Sequence, residues 1–332
     1  MSPNTLIMLQ PGMPYACIGY HQDIEKELDL EYCRSVGLPI IRRSQGGGAT
    51  YLDGNQVFYQ IVAKKTNVYP IAVDAMFQKL LAVTVETYRH LGVPAEFKPL
   101  NDVVVNGKKV SGNGASMNGE TSIMVGNVIL DMDYDMMARV LKVPDEKFRD
   151  KMAKSMKDWV SSLKGELPNP PDGEEVKRVY AKAFQEILVV KLIKAEPTAE
   201  EWHIYETETK PRNLSREWLY MEAPYSTRKP GRAVKIAHEV KVIEADHKAG
   251  KLIRVRAETK GEEVIDIRIT GDFFSIPKEA IFRLEDALRG KRLEEKTLRV
   301  AVKRFYDVEK PEMPGVGPED IVQALLKVKA LL

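Results

Sequence analysis

The stretch Ile41-Arg42-Arg43-Ser44-Gln45-Gly46-Gly47-Gly48-Ala49-Thr50-Tyr51, followed by Asp53-Gly54-Asn55, joins an apolar run to a second strand-like segment through three consecutive glycines. Arginine offers a planar cationic fork for a carboxylate or a phosphate. Glycine lets the backbone adopt positive φ and approach a ligand closely with its N–H groups exposed. The stretch therefore predicts a binding site for an anionic ligand, although a glycine-rich hairpin without a ligand would show the same pattern.

The segments on either side of the glycines indicate a strand–loop–strand arrangement. Leu38–Arg42 is predicted to be a buried strand, and the alternation in Gln56–Lys64 predicts an antiparallel partner for it. A dinucleotide-binding loop or a Walker loop has to open a helix. The local pattern therefore excludes both of these nucleotide-binding loops.

A second informative stretch combines a predicted hairpin with two adjacent lysines and reads Asn101-Asp102-Val103-Val104-Val105-Asn106-Gly107-Lys108-Lys109-Val110-Ser111-Gly112-Asn113-Gly114-Ala115. Asn106-Gly107 between two β-branched runs is a strong hairpin signal. Alternation places Lys109 and Ser111 on one face and their neighbours on the other. A surface hairpin with solvated lysines is the alternative interpretation.

The chemistry of this hairpin follows from its charges. An inward-facing Lys109 opposite Arg43 would bring two cations together, which is costly unless an anion lies between them. Asp102 begins the same strand, directly after Asn101, and a carboxylate there could hold Mg²⁺. The two stretches together predict an anion site with an adjoining magnesium position.

The chain length of 332 residues and the proline-containing irregular segment between two sets of predicted elements indicate two domains. Residues 1–210 are assigned to a catalytic domain with mixed or antiparallel sheets and flanking helices, and residues 211–232 to a linker. Residues 233–332 are assigned to a small α+β accessory domain. Its predicted elements are the strands Glu239–Ala245, Lys251–Glu258 and Val264–Thr270 and the helices Pro277–Arg289, Glu294–Tyr306 and Pro318 to the end.

Composition excludes several classes of protein. A formal net charge of +2 gives no reason to expect a nucleic acid or a membrane surface as partner. The aromatic residues of the linker are therefore interpreted as packing residues and not as a stacking surface for bases. Cys17 and Cys33 lie in apolar runs, which predicts buried free thiols and a cytoplasmic location. The five histidines are scattered, so structural zinc is not expected.

The two stretches resemble the lipoate–protein ligase family of the biotin/lipoate ligase and transferase superfamily. The resemblance rests on Arg42-Arg43-x-x-Gly46-Gly47-Gly48-Ala49-x-Tyr51 with Asp53-Gly54-Asn55, on Asn101-Asp102 and on Gly107-Lys108-Lys109-x-x-Gly112. Leu141–Phe148 is similar to archaeal ligases, and Gly250–Ile253 and Gly271–Phe274 are similar to their accessory domain. The implied fold is the α+β fold shared by biotin ligases and class II aminoacyl-tRNA synthetases, with the accessory domain fused to it.

The resemblance implies an ATP-dependent lipoate–protein ligase. Lipoate or octanoate would react with ATP and Mg²⁺ to form an acyl-adenylate, and the acyl group would pass to a lysine of an E2 lipoyl domain or a glycine-cleavage H-protein. Lys109 matches the essential lysine of the family. The residues implied in binding substrate or nucleotide are Arg42, Arg43, Gly46, Gly47, Gly48, Ala49, Asn55, Asn101, Asp102, Ser111 and Gly112, with Asp102 also at the magnesium position.

Several positions differ from the family pattern. Gln45 replaces a usual Ser or Thr, the turn at Gly54-Asn55 is one residue tighter, and Met124-Val125-Gly126-Asn127 replaces a strand that usually carries a His-Gly pair. The strand and helix that precede this point in other members have no counterpart, so we expect either that this sequence starts internally or that the acyl pocket is completed differently.

Three alternative functions remain at this point. An octanoyltransferase would need a nucleophilic cysteine after the glycines, whereas Cys17 and Cys33 precede them. A biotin ligase would need a Gly-Arg-Gly-Arg type of loop. A non-catalytic protein that binds acyl carriers is the third, and the joint presence of Arg43, Asp102 and Lys109 disfavours it.

Overall fold

The structure is a computed structural model that describes residues 3–64, 72–143, 145–222, 224–225 and 240–332, without the side chains of residues 146 and 147. It contains two compact units. The first comprises Met1–Cys17, Glu25–Ile41 and Ala49–Thr209, and the second comprises Ile18–Ile24, Arg42–Gly48 and Lys210–Leu332. The second unit therefore contains the central glycines of the first stretch together with the carboxyl-terminal part of the chain. The three predicted segments 1–210, 211–232 and 233–332 stay a prediction.

Two β-sheets lie in the amino-terminal part of the chain. The strands are β1 (Thr5–Leu9), β2 (Tyr15–Ile18), β3 (Ile40–Arg42), β4 (Thr50–Leu52), β5 (Gln56–Lys64), β6 (Glu96–Lys98), β7 (Asp102–Val105), β8 (Lys108–Asn118) and β9 (Thr121–Ile129). The larger sheet has the order β1-β5-β9-β8-β7-β6, and the smaller has the order β3-β2-β4. In the smaller sheet β4 runs antiparallel and β3 parallel to β2. The expected mixed or antiparallel sheets with flanking helices are confirmed.

The helices of this part are α1 (Ile24–Glu27), α2 (Leu30–Ser35), α3 (Val73–His90), α4 (Tyr134–Val140), α5 (Glu146–Trp159), α6 (Leu163–Glu166), α7 (Gly173–Leu188) and α8 (Ala199–Ile204), followed by a π-helical segment at Tyr205–Thr209. The longest, α3, packs against α7 and against the larger sheet. Its apolar residues recur at helical spacing, and Phe77, Leu80 and Tyr88 are buried. Acidic N-caps begin several helices, as where the Asp172 side chain accepts from the N–H of Glu175 in α7.

Two predictions about strands and helices were wrong in detail. Gln56–Lys64 is a strand, but it pairs with β1 and β9 in the larger sheet, whereas β3 belongs to the smaller one. Alternation shows that a segment has a buried face but does not select its partner. The sequence from Glu25 to Val36, with Gly37 as a stop, predicts a single helix. The structure has two helices there, because the Asp29 side chain accepts from the N–H of Tyr32 and begins α2 as a separate helix.

The second unit contains the predicted meander and helices. Its elements are α9 (Lys210–Leu214), α10 (Arg216–Tyr220), β10 (Val240–Lys248), β11 (Leu252–Lys260), β12 (Glu263–Gly271), α11 (Ala280–Leu288), α12 (Glu295–Glu309) and α13 (Pro318–Ala330). The strands pair in sequence order, and α11 and α13 pack against them. Val255, Leu284 and Leu325 belong to their common core. The start of the predicted strand at Glu239 and the linker residues 226–232 lie outside the described residues.

Residues 211–222 of the predicted linker belong to the second unit, and the aromatic side chain of Trp218 is packed as expected. Trp218 in α10 is buried and forms an apolar cluster with Tyr20, Met221 and Phe282. None of the helices in the described parts of the chain is long and apolar enough to cross a lipid bilayer.

Candidate functional site

The β7–β8 hairpin forms at the predicted turn and carries a close pair of opposite charges. The pairing register shifts between Val103 and Val104, so Ser111 pairs with Val103 and Lys109 with Val104, and the prediction that Lys109 and Ser111 share one face was wrong. The two-residue turn of the hairpin at Asn106 and Gly107 has positive φ at both positions, 50° and 79°, as a type I′ turn requires. The Lys109 Nζ lies 2.6 Å from Asp102 Oδ1. About a third of each side chain is accessible, at 37% and 32%. The hairpin therefore presents an ammonium group and a carboxylate side by side where a ligand can reach them.

The backbone beside Lys109 is held by the segment that follows α5. Lys109 forms a parallel bridge with Val160, and its carbonyl accepts from the N–H of Ser161 at 2.8 Å. The neighbouring Lys108 donates to the carbonyl of Lys157 at 3.0 Å. These bonds fix the strand that carries Lys109, so its side chain projects from a rigid support.

The predicted binding residue Asn101 supports the hairpin from within. Its side chain is buried, and Nδ2 donates to the carbonyl of Asn113 at 2.6 Å. The Asn113 amide donates back to the carbonyl of Asn101 at 3.0 Å. This exchange ties the entry of β7 to β8. Binding of a nucleotide by Asn101 stays a prediction. In the structure the side-chain amide of Asn101 is hydrogen-bonded to the backbone of Asn113.

Ser111 and Gly112 belong to the same buried polar network. Ser111 Oγ donates to Asn113 Oδ1 at 3.1 Å, and the N–H of Gly112 donates to Asn127 Oδ1 at 2.7 Å. Asn127 Nδ2 in turn donates to Gln56 Oε1 at 2.8 Å. The strand that lacks the family's His-Gly pair thus supplies a polar contact of its own through Asn127.

Two tyrosines complete this network below the hairpin. Tyr59 donates to Asn113 Oδ1 and accepts from Thr84 at 2.8 Å, and its ring stacks on Tyr180 with centroids 4.5 Å apart. Burial raises the pKa of Tyr59 to about 12, because the phenolate would lose its hydration. The phenol therefore stays a neutral donor at physiological pH.

Sequence reasoning missed this network. Asparagine is depleted in strands, so Asn113 and Asn127 at alternating buried positions are a signal for buried polar structure. Their importance became visible only when the partners Tyr59, Thr84 and Gln56 were placed around them.

In the second unit, the Arg42 side chain donates hydrogen bonds to the backbone of two separate chain segments. Its side chain is 1% exposed, and one terminal nitrogen donates to the carbonyls of Gly19, Tyr20 and Gln22 at 2.8 to 2.9 Å. Nε donates to the carbonyl of Leu219 at 2.9 Å. Ligand binding by Arg42 stays a prediction, but these contacts assign its guanidinium to joining residues 19–22 to the end of α10.

Arg43 folds over the glycine-rich loop that follows it. Its guanidinium donates to the carbonyls of Gly46 and Gly48, each at 2.8 Å. Gly47 has φ of +95°, and a Cβ there would lie 2.9 Å from the Arg43 guanidinium. Only glycine fits between that guanidinium and the chain. The loop therefore holds Arg43 through carbonyl groups that an anionic ligand could replace.

The remaining predicted residues lie in the first unit. Ala49 is half-buried at the start of the return to β4. Asn55 is exposed and lines a cavity of about 330 Å³ together with Asp131, Asp133 and Lys157. Its N–H donates to Asp53 Oδ1 at 2.9 Å in the tight turn. The first unit thus brings Asn101, Asp102, Lys109, Ser111 and Gly112 together, and Asn55 belongs to a different, acidic surface.

Residues 1–185 match the family model of the lipoyl protein ligase A/B catalytic domain. The chain belongs to this family. Residues 244–325 of this lipoyl ligase family member also match the model of the bacterial lipoate protein ligase C-terminus. The expected fusion of a catalytic and an accessory domain in one chain is confirmed.

Named relatives agree with this assignment. The chain is 33% identical over 181 residues to lipoate-protein ligase A subunit 1 of Thermoplasma acidophilum, a match covering 52% of this chain and 67% of the relative. It is 27% identical over 299 residues to a lipoate–protein ligase of Streptococcus pyogenes, covering 85% and 80%. The octanoyltransferase LipM of Kyrpidia tusciae matches at 27% over 240 residues, covering 66% and 87%.

A solved structure shows the same fold. It is a bipartite lipoate protein ligase from Thermoplasma acidophilum, described together with its E2 lipoyl domain. The TM-score is 0.61 at 28% identity, covering 69% of this chain and 86% of that one. The biotin/lipoate ligase fold expected from the two stretches is confirmed.

The structure bears on the magnesium prediction only through the ligands that it offers. Within the described ranges, no group of three or more His, Cys, Asp or Glu side chains is placed to hold a metal ion. Asp102 offers a single carboxylate, one oxygen of which lies against Lys109. Magnesium in phosphoryl-transfer sites is commonly held by one or two carboxylates and the substrate phosphates, so Asp102 fits that kind of site.

Proposed function

We propose that this chain activates lipoate with ATP and transfers the lipoyl group to a lysine of a carrier domain. The observation that carries the proposal is the Lys109–Asp102 pair on the β7–β8 hairpin, with its 2.6 Å separation and partial exposure. Membership of the lipoyl ligase family supplies the reaction, and this pair supplies the charges that the reaction needs.

In the first step the lipoate carboxylate attacks the α-phosphorus of ATP. A new P–O bond forms, the bond to the β-phosphate breaks, and pyrophosphate leaves. Both reactants are anions, so a fixed cation between them lowers the barrier by positioning and by charge stabilisation. Lys109 is that cation, and it would exchange its contact with Asp102 for the ligand.

Within the second unit, the glycine-rich loop offers further groups for an anionic ligand. We propose that Arg43 leaves the carbonyls of Gly46 and Gly48 to pair with the ligand, while Gly46–Ala49 offer backbone N–H groups. Arg42, directly before Arg43, is anchored by its four carbonyl contacts to residues 19–22 and Leu219. Asp102 would help to hold magnesium, which supplies charge neutralisation of the phosphates when bound.

In the second step the amine of the carrier lysine attacks the acyl carbonyl. A C–N bond forms, the bond between acyl carbon and phosphate oxygen breaks, and AMP leaves with its electron pair while the amine loses a proton. The carrier is proposed to be an E2 lipoyl domain or an H-protein of the glycine-cleavage type. The free thiols of Cys17 and Cys33 suit a cytoplasmic enzyme.

The test of this function is pyrophosphate exchange. Labelled pyrophosphate should enter ATP only when lipoate or octanoate is added, and the comparison of the two acids with biotin reports the acyl preference. Lys109→Ala should reduce exchange by roughly a hundredfold or more, because a fixed charge at the reacting centre is lost. Lys182→Ala, at a lysine whose side chain is 67% exposed on α7, is the matched control and should exchange normally. Equal exchange in both variants would remove Lys109 from the mechanism.

The relatives named LipM raise a second reaction, acyl transfer from a preformed thioester. That reaction needs a reactive thiolate. Both cysteines of this chain are buried, and burial raises the pKa of the Cys33 thiol, with the nearby Asp29 adding to the effect. We therefore favour the ligase. Carrier modification by octanoyl-acyl-carrier protein without ATP would reverse this preference.

A further inference from the structure

Residues 199–209 form an exposed helical segment, the acidic helix, at the end of the first unit. It consists of α8 and the π-helical residues Tyr205–Thr209, and none of its residues is buried. Trp202 is 53% exposed, and Ile204 and Tyr205 are 42% exposed each. Isolated helices shorter than about 12–15 residues are only marginally stable in water, and most helices in proteins depend on packing. A short helix with exposed aromatic side chains is therefore expected to be covered by another surface.

The acidic helix combines an aromatic face with negative charge. Trp202 and Tyr205 lie one turn apart, with their ring centroids separated by 5.8 Å. Glu206 follows Trp202 by four residues and borders the same face. Residues 195–209 contain no lysine or arginine and include the glutamates Glu196, Glu200, Glu201, Glu206 and Glu208. The surface that covers this helix should be apolar in the middle and basic at its edges.

The second unit has a groove of this kind, lined by residues of α11 and α12. Its volume is about 620 Å³, and its apolar lining consists of Ala287, Val300, Ala301, Phe305 and Val308. Val300 and Val308 are 62% and 67% exposed, so the groove is open to a partner. The 15 residues of α12 extend over about 22 Å, and the acidic helix extends over roughly 16 Å. The groove is therefore long enough to receive the whole acidic helix.

The edges of the groove carry unpaired positive charge. Lys291, Lys296 and Arg304 line the groove, and none of them lies within 4 Å of a carboxylate in the described ranges. The acidic residues on and beside the groove are each paired with a cation, Glu309 with Arg283, Asp286 with Arg289 and Asp307 with Lys303. The three remaining cations favour an acidic partner.

We propose that the acidic helix of one copy of this chain docks in the α11–α12 groove of a second copy. Helices commonly bind in grooves through apolar residues at helical spacing, so Trp202 and Tyr205 form the centre of the contact. The glutamates of the helix then lie near Lys291, Lys296 and Arg304. The contact joins two different surfaces, both of which every copy carries, so two copies can make it twice. This self-association does not depend on the proposed ligase function.

The first experiment measures self-association of the whole chain. Sedimentation velocity from about 1 to 100 µM should show a change from the mass of one chain to the mass of two. Trp202→Ala should raise the dissociation constant about tenfold or more, because the central aromatic contact is lost. Trp159→Ala removes a tryptophan that is 67% exposed on α5, and this matched control should associate like the unmodified protein.

Charge reversal tests the groove. The double variant Lys296→Glu with Arg304→Glu should also raise the dissociation constant about tenfold or more, because the glutamates of the acidic helix would meet like charges. Lys151→Glu with Lys154→Glu changes the net charge equally at two exposed lysines of α5 and is the matched control. Circular dichroism and the urea midpoint should be the same in all four variants, which separates loss of contact from loss of fold.

A mixture of the two weakened variants shows whether these two surfaces meet. Trp202→Ala retains the intact groove, and Lys296→Glu with Arg304→Glu retains the intact acidic helix. A fluorescent label on one variant should report pairs with one chain of each kind, at a concentration at which each variant alone remains single.

Three results would overturn the proposal. The first is the mass of a single chain at every concentration of the unmodified protein, whatever covers the acidic helix instead. The second is equal weakening by Trp202→Ala and Trp159→Ala. The third is a mixture that remains single although the unmodified protein pairs, because the acidic helix and the groove would then not contact each other.

Discussion

At the scale of single residues, the two neighbouring arginines have different tasks although both carry the same charge. Arg42 is buried and donates hydrogen bonds to four backbone carbonyls far from it in the chain. Arg43 donates to the carbonyls of Gly46 and Gly48 in the loop that directly follows it. Because a buried cation without hydrogen-bond acceptors is very costly, the carbonyls around Arg42 define its conformation. The exchangeable carbonyl contacts of Arg43 make it the residue that a ligand can recruit.

Arg42→Lys should destabilise the protein by on the order of 3 kcal/mol, because one ammonium cannot satisfy the carbonyls of Gly19, Tyr20, Gln22 and Leu219 together. Urea denaturation followed by circular dichroism measures the change. Arg89→Lys, at a guanidinium whose side chain is 56% exposed, is the matched control and should alter stability little. Equal stability of the two variants would show that the carbonyl contacts are dispensable.

At the scale of elements, strand β9 approaches its neighbours closely at Gly126. A Cβ at this position would lie 2.1 Å from Asn113 Oδ1 and 2.3 Å from the Tyr59 hydroxyl. Both neighbours are buried and hydrogen-bonded to each other, so neither has space into which to move. The absence of a side chain at Gly126 allows the polar network to form under the hairpin that carries Lys109.

Gly126→Ala should therefore cost about 1–3 kcal/mol of stability through overpacking. The displaced Asn113 should also loosen Asn101, so lipoate-dependent exchange should fall in the same variant. Gly12→Ala introduces a methyl group where no atom lies within 4 Å and is the control for both measurements. If Gly126→Ala unfolds at the same urea concentration as Gly12→Ala, Asn113 and Tyr59 can make room for a methyl group at position 126.

At the scale of the whole molecule, a buried tyrosine in the first unit and a half-buried one in the second couple stability to alkaline pH. Burial raises the pKa of Tyr59 in the first unit to about 12, and burial together with Asp320 raises the pKa of Tyr306 in the second unit to about 12. A tyrosine in the unfolded chain has a pKa of about 10. Between these values the unfolded state loses protons that the folded state keeps, so stability is complete below pH ~10 and falls as pH rises towards ~12.

We expect each of these tyrosines to steepen the loss of unfolding free energy by about 1.4 kcal/mol per pH unit at most across this range. Tyr59→Phe should lower stability at neutral pH through the lost hydrogen bonds but make the alkaline loss shallower. Urea denaturation at a series of pH values from neutral to about 12 measures the slope. If the unfolding free energy of Tyr59→Phe falls with pH as steeply as that of the unmodified protein, other groups cause the loss of stability at alkaline pH.

Local chemistry in the sequence determined much of this protein. The Asn106-Gly107 turn, the bounds of Gln56–Lys64, the helix begun at Val73 and the β-then-α order of the carboxyl-terminal part all follow from backbone preference and periodicity. These signals lie within a few residues of the element that they specify. The resemblance carried by the two glycine-containing stretches led in the same way to the correct family.

Only the tertiary structure decided which partners these segments chose. It assigned β5 to the larger sheet, gave Arg42 a buried structural task and assembled Tyr59, Thr84, Asn113 and Asn127 below the hairpin. Each of these outcomes depends on residues far apart in the chain, and alternation or charge leaves several partners equally acceptable. Steric fit and the need to satisfy buried polar groups select among them, and those terms exist only once the chain is folded.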